Sequence, residues 1–123
     1  MLLDAPCSAT GTYRRHPEVL YRAHPAIIEQ RAEFQTRLLA QAATWVRPGG
    51  SLVYAVCSLE PPEGEQRIDA FLADHPDFRI EPAPTLVEEV APDARGCLRV
   101  LPTMVEDRGG LDGFFAAHLV RDR

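Results

Sequence analysis

Leu52-Val53-Tyr54-Ala55-Val56-Cys57-Ser58 is the stretch that decides the fold. It is apolar and rich in β-branched and aromatic residues, with Arg47-Pro48-Gly49-Gly50 before it and Leu59-Glu60-Pro61-Pro62 after it. A run of this kind between Gly and Pro clusters reads as a strand buried on both faces. Such strands belong to parallel sheets, whose carboxyl ends open onto the binding crevice. Cys57 holds that end. A second apolar start, Met1-Leu2-Leu3, runs into Asp4-Ala5-Pro6-Cys7-Ser8-Ala9-Thr10-Gly11. Two strands are therefore expected to bring one Cys-Ser pair each to the same edge of one sheet.

Between them, Arg14-Arg15-His16-Pro17 leads into a short helix through about His24, with Pro17 suited to its first position. Pro25 opens a longer helix. Along it Ile27, Arg31, Phe34, Leu38, Ala42 and Trp45 recur at steps of three and four, with Ile28, Leu39 and Val46 widening the stripe, which predicts one apolar face. Pro48-Gly49-Gly50 stops it. After Pro62, a third helix is expected from Glu63 to His75, with acids in its first turn as the helix dipole favours and Ile68, Phe71 and Leu72 on its buried edge. Phe78-Arg79-Ile80-Glu81 alternates like an edge strand. Residues 82–96 read as loop with a turn of helix at 86–90, and 98–101 as a short strand. The run from Gly113 to Val120 is apolar on both faces and reads as a late strand inserted centrally. The order matches the second half of an α/β doubly wound sheet. The first strand is short against the ~5–6 residues usual for strands, so residues 1–123 read as a single partial domain cut within its sheet.

Composition narrows the function classes. No stretch approaches the ~20 apolar residues of a membrane span, and no basic start precedes an apolar region, so the chain reads as cytoplasmic. Three cysteines, Cys7, Cys57 and Cys97, are widely spaced without a C-x-x-C, which argues against a disulfide framework or a zinc knuckle. No metal is expected. All 13 basic residues are Arg, which removes phosphate-binding and Schiff-base lysines. The net charge of −5 divides into +2 up to Gly50 (six Arg, four acids) and −7 beyond it (seven Arg, fourteen acids). Any nucleic-acid role must rest on a local patch.

The chemistry-bearing candidates are the two thiols. Free cysteines are often inert core residues, but a thiol at the carboxyl end of a central strand, before Ser58 and a Pro-rich turn, faces the usual ligand crevice. Around Cys7, Pro6 fixes the backbone and Gly11 permits close approach, while Asp4 adds a carboxylate that could equally be a helix cap. A cysteine phosphatase does not fit: Arg14 lies seven positions after Cys7, not six. Cys97 reads as filler.

Asp4 to Gly11, Arg14-Arg15-His16-Pro17, Val53 to Leu59 and Gly110-Leu111-Asp112-Gly113-Phe114-Phe115 together resemble the RNA cytosine-5 methyltransferases of the Sun/Fmu (RsmB) family, in order and across essentially the whole chain. The resemblance implies the C-terminal half of a class I, Rossmann-like methyltransferase domain. It implies S-adenosyl-L-methionine as methyl donor and RNA, ribosomal RNA in particular, as substrate. By the same resemblance Cys57 is the nucleophile, Cys7 resolves the covalent RNA adduct, and Asp4 holds cofactor and target base together. Pro6 and Ser58 would line the base site, and Arg14 and Arg15 would contact phosphates unless they are ordinary solvated arginines. The family's Gly-rich cofactor loop and its ribose- and adenine-binding acids lie ahead of the Asp-Ala-Pro-Cys block and are not in this sequence. Val56 replaces a usual Thr. The other reading is a non-catalytic remnant that binds RNA or a partner protein.

Overall fold

The computed structural model describes residues 1–85 and 87–123. Five strands form one sheet: β1 (Leu2–Asp4), β2 (Ser51–Val56), β3 (Phe78–Ile80), β4 (Leu98–Val100) and β5 (Phe114–Arg121). Three helices accompany them: α1 (Val19–Arg22), α2 (Pro25–Trp45) and α3 (Glu65–Asp74). The strand order is β1-β2-β5-β3, and β4 also pairs with β5. β3 lies opposite Leu119 to Arg121 and β4 opposite Phe114 to Ala116, so the two share the second edge of β5.

The expectation of a parallel sheet holds only for the β1–β2 pair. β5 is central, as its two-sided apolar pattern predicts, but it runs antiparallel to β2, β3 and β4. The reason lies where the connection returns. Gly113 donates to the Gly11 carbonyl at 2.7 Å, beside the carboxyl end of β2, so β5 starts where β2 finishes and must run back along it.

The core is also one-sided. Leu52, Tyr54 and Val56 of β2 and Phe115, Ala117 and Leu119 of β5 pack with Leu39, Ala42, Ala43 and Val46 of α2 and Ile68 and Phe71 of α3. On the opposite face Val53, His118 and Val120 are only partly buried. A doubly wound sheet would carry helices on both faces; among the described residues α2 and α3 share one.

Several boundaries differ from expectation. α2 begins with Pro25 at its first position and ends before Pro48-Gly49-Gly50, with Gly49 in the left-handed region (φ +78°). Its buried face keeps Leu39 and Ala42 of the expected stripe, with Val46 buried just past its end, and adds Ala32, Gln35 and Ala43, while Trp45 is 67% exposed and Phe34 and Leu38 are half-buried. Small alanines let the helix lie close to the sheet, and that outweighs the size of the expected stripe. The first helix shrinks to α1, with Pro17 outside it. α3 starts at Glu65, because Pro61–Glu63 forms a 3-10 turn that aims Glu63 inward. Of the turn of helix expected at 86–90, Leu86 lies outside the described residues, and Val87 and Val90 are joined by a β-bridge rather than a helical turn.

Candidate active site

The parallel register sets the site. Leu2, Leu3 and Asp4 lie opposite Val53, Tyr54 and Ala55, and the Ala5 amide donates to the Ala55 carbonyl at 3.0 Å. The two chains then leave the sheet at the same end, each reaching its cysteine within three residues. Gly11 stitches the loops together by donating to the Cys57 carbonyl at 3.0 Å. A Cβ on Gly11 would stand 2.1 Å from the Gly113 carbonyl oxygen, and one on Gly113 would stand 2.3 Å from Leu59 Cδ2. Only glycines permit this crossing.

The result brings Cys7 Sγ and Cys57 Sγ to 3.6 Å, both half-buried. The Cys57 thiol is pulled down to about 7, first by the hydrogen bond from Cys7, with burial opposing and the charges of Asp4 and Glu63 adding smaller upward pushes. Cys7 is driven far above the thiol range by that same hydrogen bond, then by burial and the charge of Cys57. The asymmetry has a plain cause. Cys7 is the more deeply buried of the two, so a single negative charge costs less on Cys57. Cys57 is therefore the first of the pair to ionise while Cys7 keeps its proton, and the thiolate is the nucleophilic form.

The other expected site residues divide. Asp4 is exposed at the end of β1 and close enough to Cys57 for its charge to be felt. Pro6 is exposed, and its carbonyl accepts from Gln35 Nε2 at 2.9 Å. Ser58 does not stand where a ligand could reach it: it is fully buried, and its hydroxyl donates to Glu63 Oε2 at 2.6 Å. Arg14 donates to the Gly109 carbonyl at 2.6 Å and pairs with Asp112 at 3.4 Å. Arg15 meets Asp112 at 2.6 Å. The Arg15 hydrogen bond and both guanidinium charges hold the Asp112 carboxyl below its ordinary value. Asp112 thus occupies both arginines, leaving them partly exposed at the rim. Cys97 is buried, and burial pushes its thiol up to about 11.

Three residues of the site escaped the sequence reading. Glu63, expected on a helix N-terminus, is fully buried between the two Cys-Ser loops. Thr10 is buried and its hydroxyl accepts from the Leu59 amide at 3.0 Å. Arg99 donates to the Ser58 carbonyl, pairs with Glu65 and lies over the Phe115 ring, 5.0 Å from its centroid. The one local signal was the density of acids after Cys57-Ser58, which serves a helix dipole equally well.

The family model for "16S rRNA methyltransferase RsmB/F" matches residues 1–120. The chain belongs to the RsmB/F family. It is 48% identical over 121 residues to ribosomal RNA small subunit methyltransferase B of Thermus thermophilus, covering 98% of this chain and 29% of that protein. The Shewanella oneidensis protein of the same name is 39% identical over 121 residues, covering 98% of this chain and 26% of the relative. Among solved structures, NSun6 from Pyrococcus horikoshii with SFG is similar at a TM-score of 0.78 and 27% identity, covering 99% of this chain and 29% of that one. A methyltransferase homolog from Pyrococcus horikoshii gives a TM-score of 0.75 at 30% identity, covering 98% and 38%. The chain thus spans roughly a quarter to three-tenths of the curated RsmB relatives it matches. Among the described residues no helix is long and apolar enough to cross a membrane, and no three His, Cys, Asp or Glu side chains gather as a metal site.

Proposed function

We propose that residues 1–123 are the C-terminal part of the catalytic domain of an S-adenosyl-L-methionine-dependent methyltransferase that modifies carbon 5 of cytosine in 16S ribosomal RNA, in the cytoplasm. One observation carries the reading: two thiols at the ends of neighbouring strands lie 3.6 Å apart, with the acidic one on Cys57. Family membership supports the substrate class, and NSun6 with SFG is a structural relative.

Carbon 5 of cytosine is too weak a nucleophile to take a methyl group unaided. Addition of the Cys57 thiolate to carbon 6 makes C5–C6 a single bond and moves its electron pair to C4–C5, an enamine with the 4-amino group whose carbon 5 is nucleophilic. S-adenosyl-L-methionine, when bound, supplies the methyl group. Water then takes the carbon 5 proton, the C5–H electron pair re-forms the C5–C6 double bond, the C6–sulfur bond breaks, and Cys57 departs as thiolate. Cys7 is the proton-bearing partner that assists this release, and Asp4 accepts from the cytosine amino group. A single exposed carboxylate such as Asp4 can accept hydrogen bonds from a cofactor but cannot enclose a nucleoside.

The test exchanges this chain for the matching segment of the Thermus thermophilus relative and looks for protein–RNA adducts on denaturing gels. Cys7→Ala is expected to accumulate the adduct and Cys57→Ala to form none. The reverse pattern would assign the nucleophile to Cys7. Absence of adduct and of methylation in the unsubstituted exchange would favour a non-catalytic segment that binds RNA or a partner.

A further inference from the structure

Glu63 has no exposed surface, yet it bears a carboxylate. Burying such a group is costly unless its oxygens are fully hydrogen-bonded. Here they are. Oε1 accepts from the Ser8 amide at 2.8 Å and from Gln35 Nε2 at 3.2 Å, and Oε2 accepts from the Ser8 and Ser58 hydroxyls, both at 2.6 Å. Short hydrogen bonds to a charged acceptor are the strong, geometry-setting kind.

The identity of the donors is what matters. Ser8 directly follows Cys7, and Ser58 directly follows Cys57. Gln35 adds a third tie, since its amide also holds the Pro6 carbonyl immediately ahead of Cys7. Glu63 is itself anchored: Tyr54 Oη donates to its carbonyl at 2.6 Å, and its amide donates to the Glu60 carbonyl at 3.0 Å. The residue precedes α3, so it is not placed for that helix's hydrogen-bond ladder. An apolar side chain of similar volume would fill the space without the desolvation cost. What it could not do is join the two serines.

We propose that Glu63 is a positioning residue for the thiol pair: one buried carboxylate ties the serine after each cysteine to a common point and so sets how the two sulfurs face each other. It makes no hydrogen bond to either sulfur among the described residues; it acts through Ser8 and Ser58. Its importance for catalysis rests on the function proposed above, whereas its effect on the thiols does not.

The test reads the thiols directly, without RNA or cofactor. In a buffer of glutathione and glutathione disulfide, the Cys7–Cys57 pair gives up two electrons and two protons to form a disulfide. Glutathione disulfide takes them and leaves as two thiols. The fraction oxidised, measured by mass spectrometry after acid quenching, gives the effective molarity of the pair. Glu63→Gln, which keeps the size but loses the charge and one acceptor, is expected to lower it by about tenfold or more. Ser58→Ala, a milder change that keeps the carboxylate, is expected to lower it in the same direction and carries the test if Glu63→Gln does not fold. Ile68→Val, a core change in α3, is the control for general loosening and is expected to stay within about twofold of the unsubstituted chain. Circular dichroism establishes that the compared variants are folded. Unchanged coupling in folded Glu63→Gln, or in Ser58→Ala should it stand alone, would overturn the proposal, as would an equal loss in Ile68→Val. Uncoupled thiols in Glu63→Gln, together with no RNA adduct through Cys57 in the exchange that keeps Glu63, would sink the function and leave this inference standing.

Discussion

At the scale of single residues, the contact between the two sulfurs makes Cys57 the more acidic, and the consequence is a pH profile. Cys57 is held at about 7 chiefly by the hydrogen bond from Cys7, so its alkylation by iodoacetamide is expected to rise with a midpoint near that value, followed by site-resolved mass spectrometry. Cys7→Ala removes the group that lowers it and leaves the burial that raises it. The midpoint is therefore expected to move up, to or beyond the ~8.5 of a free thiol. A midpoint that stays put would mean that another group makes Cys57 acidic. Both cysteines could be singled out from their place after short apolar runs. Glu63 could not, because its donors lie at residues 8, 35 and 58, and nothing local distinguishes a buried carboxylate from one at a helix start. The burial of Ser58 was hidden for the same reason: its hydroxyl is committed to that carboxylate.

At the scale of elements, α2 shows how a helix can be placed correctly and its buried stripe only in part. Pro25 and the Pro-Gly-Gly stop define its ends, since both act on the local backbone. The face it buries keeps Leu39 and Ala42 from the expected stripe but takes Ala32 and Ala43 in place of Trp45, since small side chains allow close approach. Two substitutions separate the alternatives in a urea unfolding series. Leu39→Ala empties a fully buried position and is expected to cost ~2–5 kcal/mol. Trp45→Ala removes a larger but mostly exposed side chain, and away from a core contact a surface change is expected to stay within ~0.5 kcal/mol. Equal losses would restore the stripe that hydrophobicity alone predicts.

At the scale of the whole molecule, three segments distant in the chain cross at one point: the Cys7 loop, the end of β2, and the lead into β5. Gly11 and Gly113 make the crossing possible. Gly11→Ala would drive a Cβ into the Gly113 carbonyl, so backbone must move; an expected loss of at least ~1–3 kcal/mol follows from overpacking. Because the same movement parts the loops, that variant is also expected to lose the acidic behaviour of Cys57, a pairing the iodoacetamide profile can check. The chain alone is further expected to bind S-adenosyl-L-methionine weakly or not at all, and tight binding in a calorimetric titration would contradict that.

The order of strands and helices, the Cys-Ser pairs at two strand ends, the late apolar strand and the family were all legible in the sequence. Each rests on apolar runs, prolines, glycines or motifs a few residues long. The direction of β5, the single helical face of the sheet, the buried side of α2 and the carboxylate joining the two Cys-Ser loops were decided only by the tertiary structure. Those outcomes depend on which groups meet across separations such as the 50 positions between Cys7 and Cys57. Desolvation and close packing are set by that meeting, and no local stretch of chain encodes them by itself.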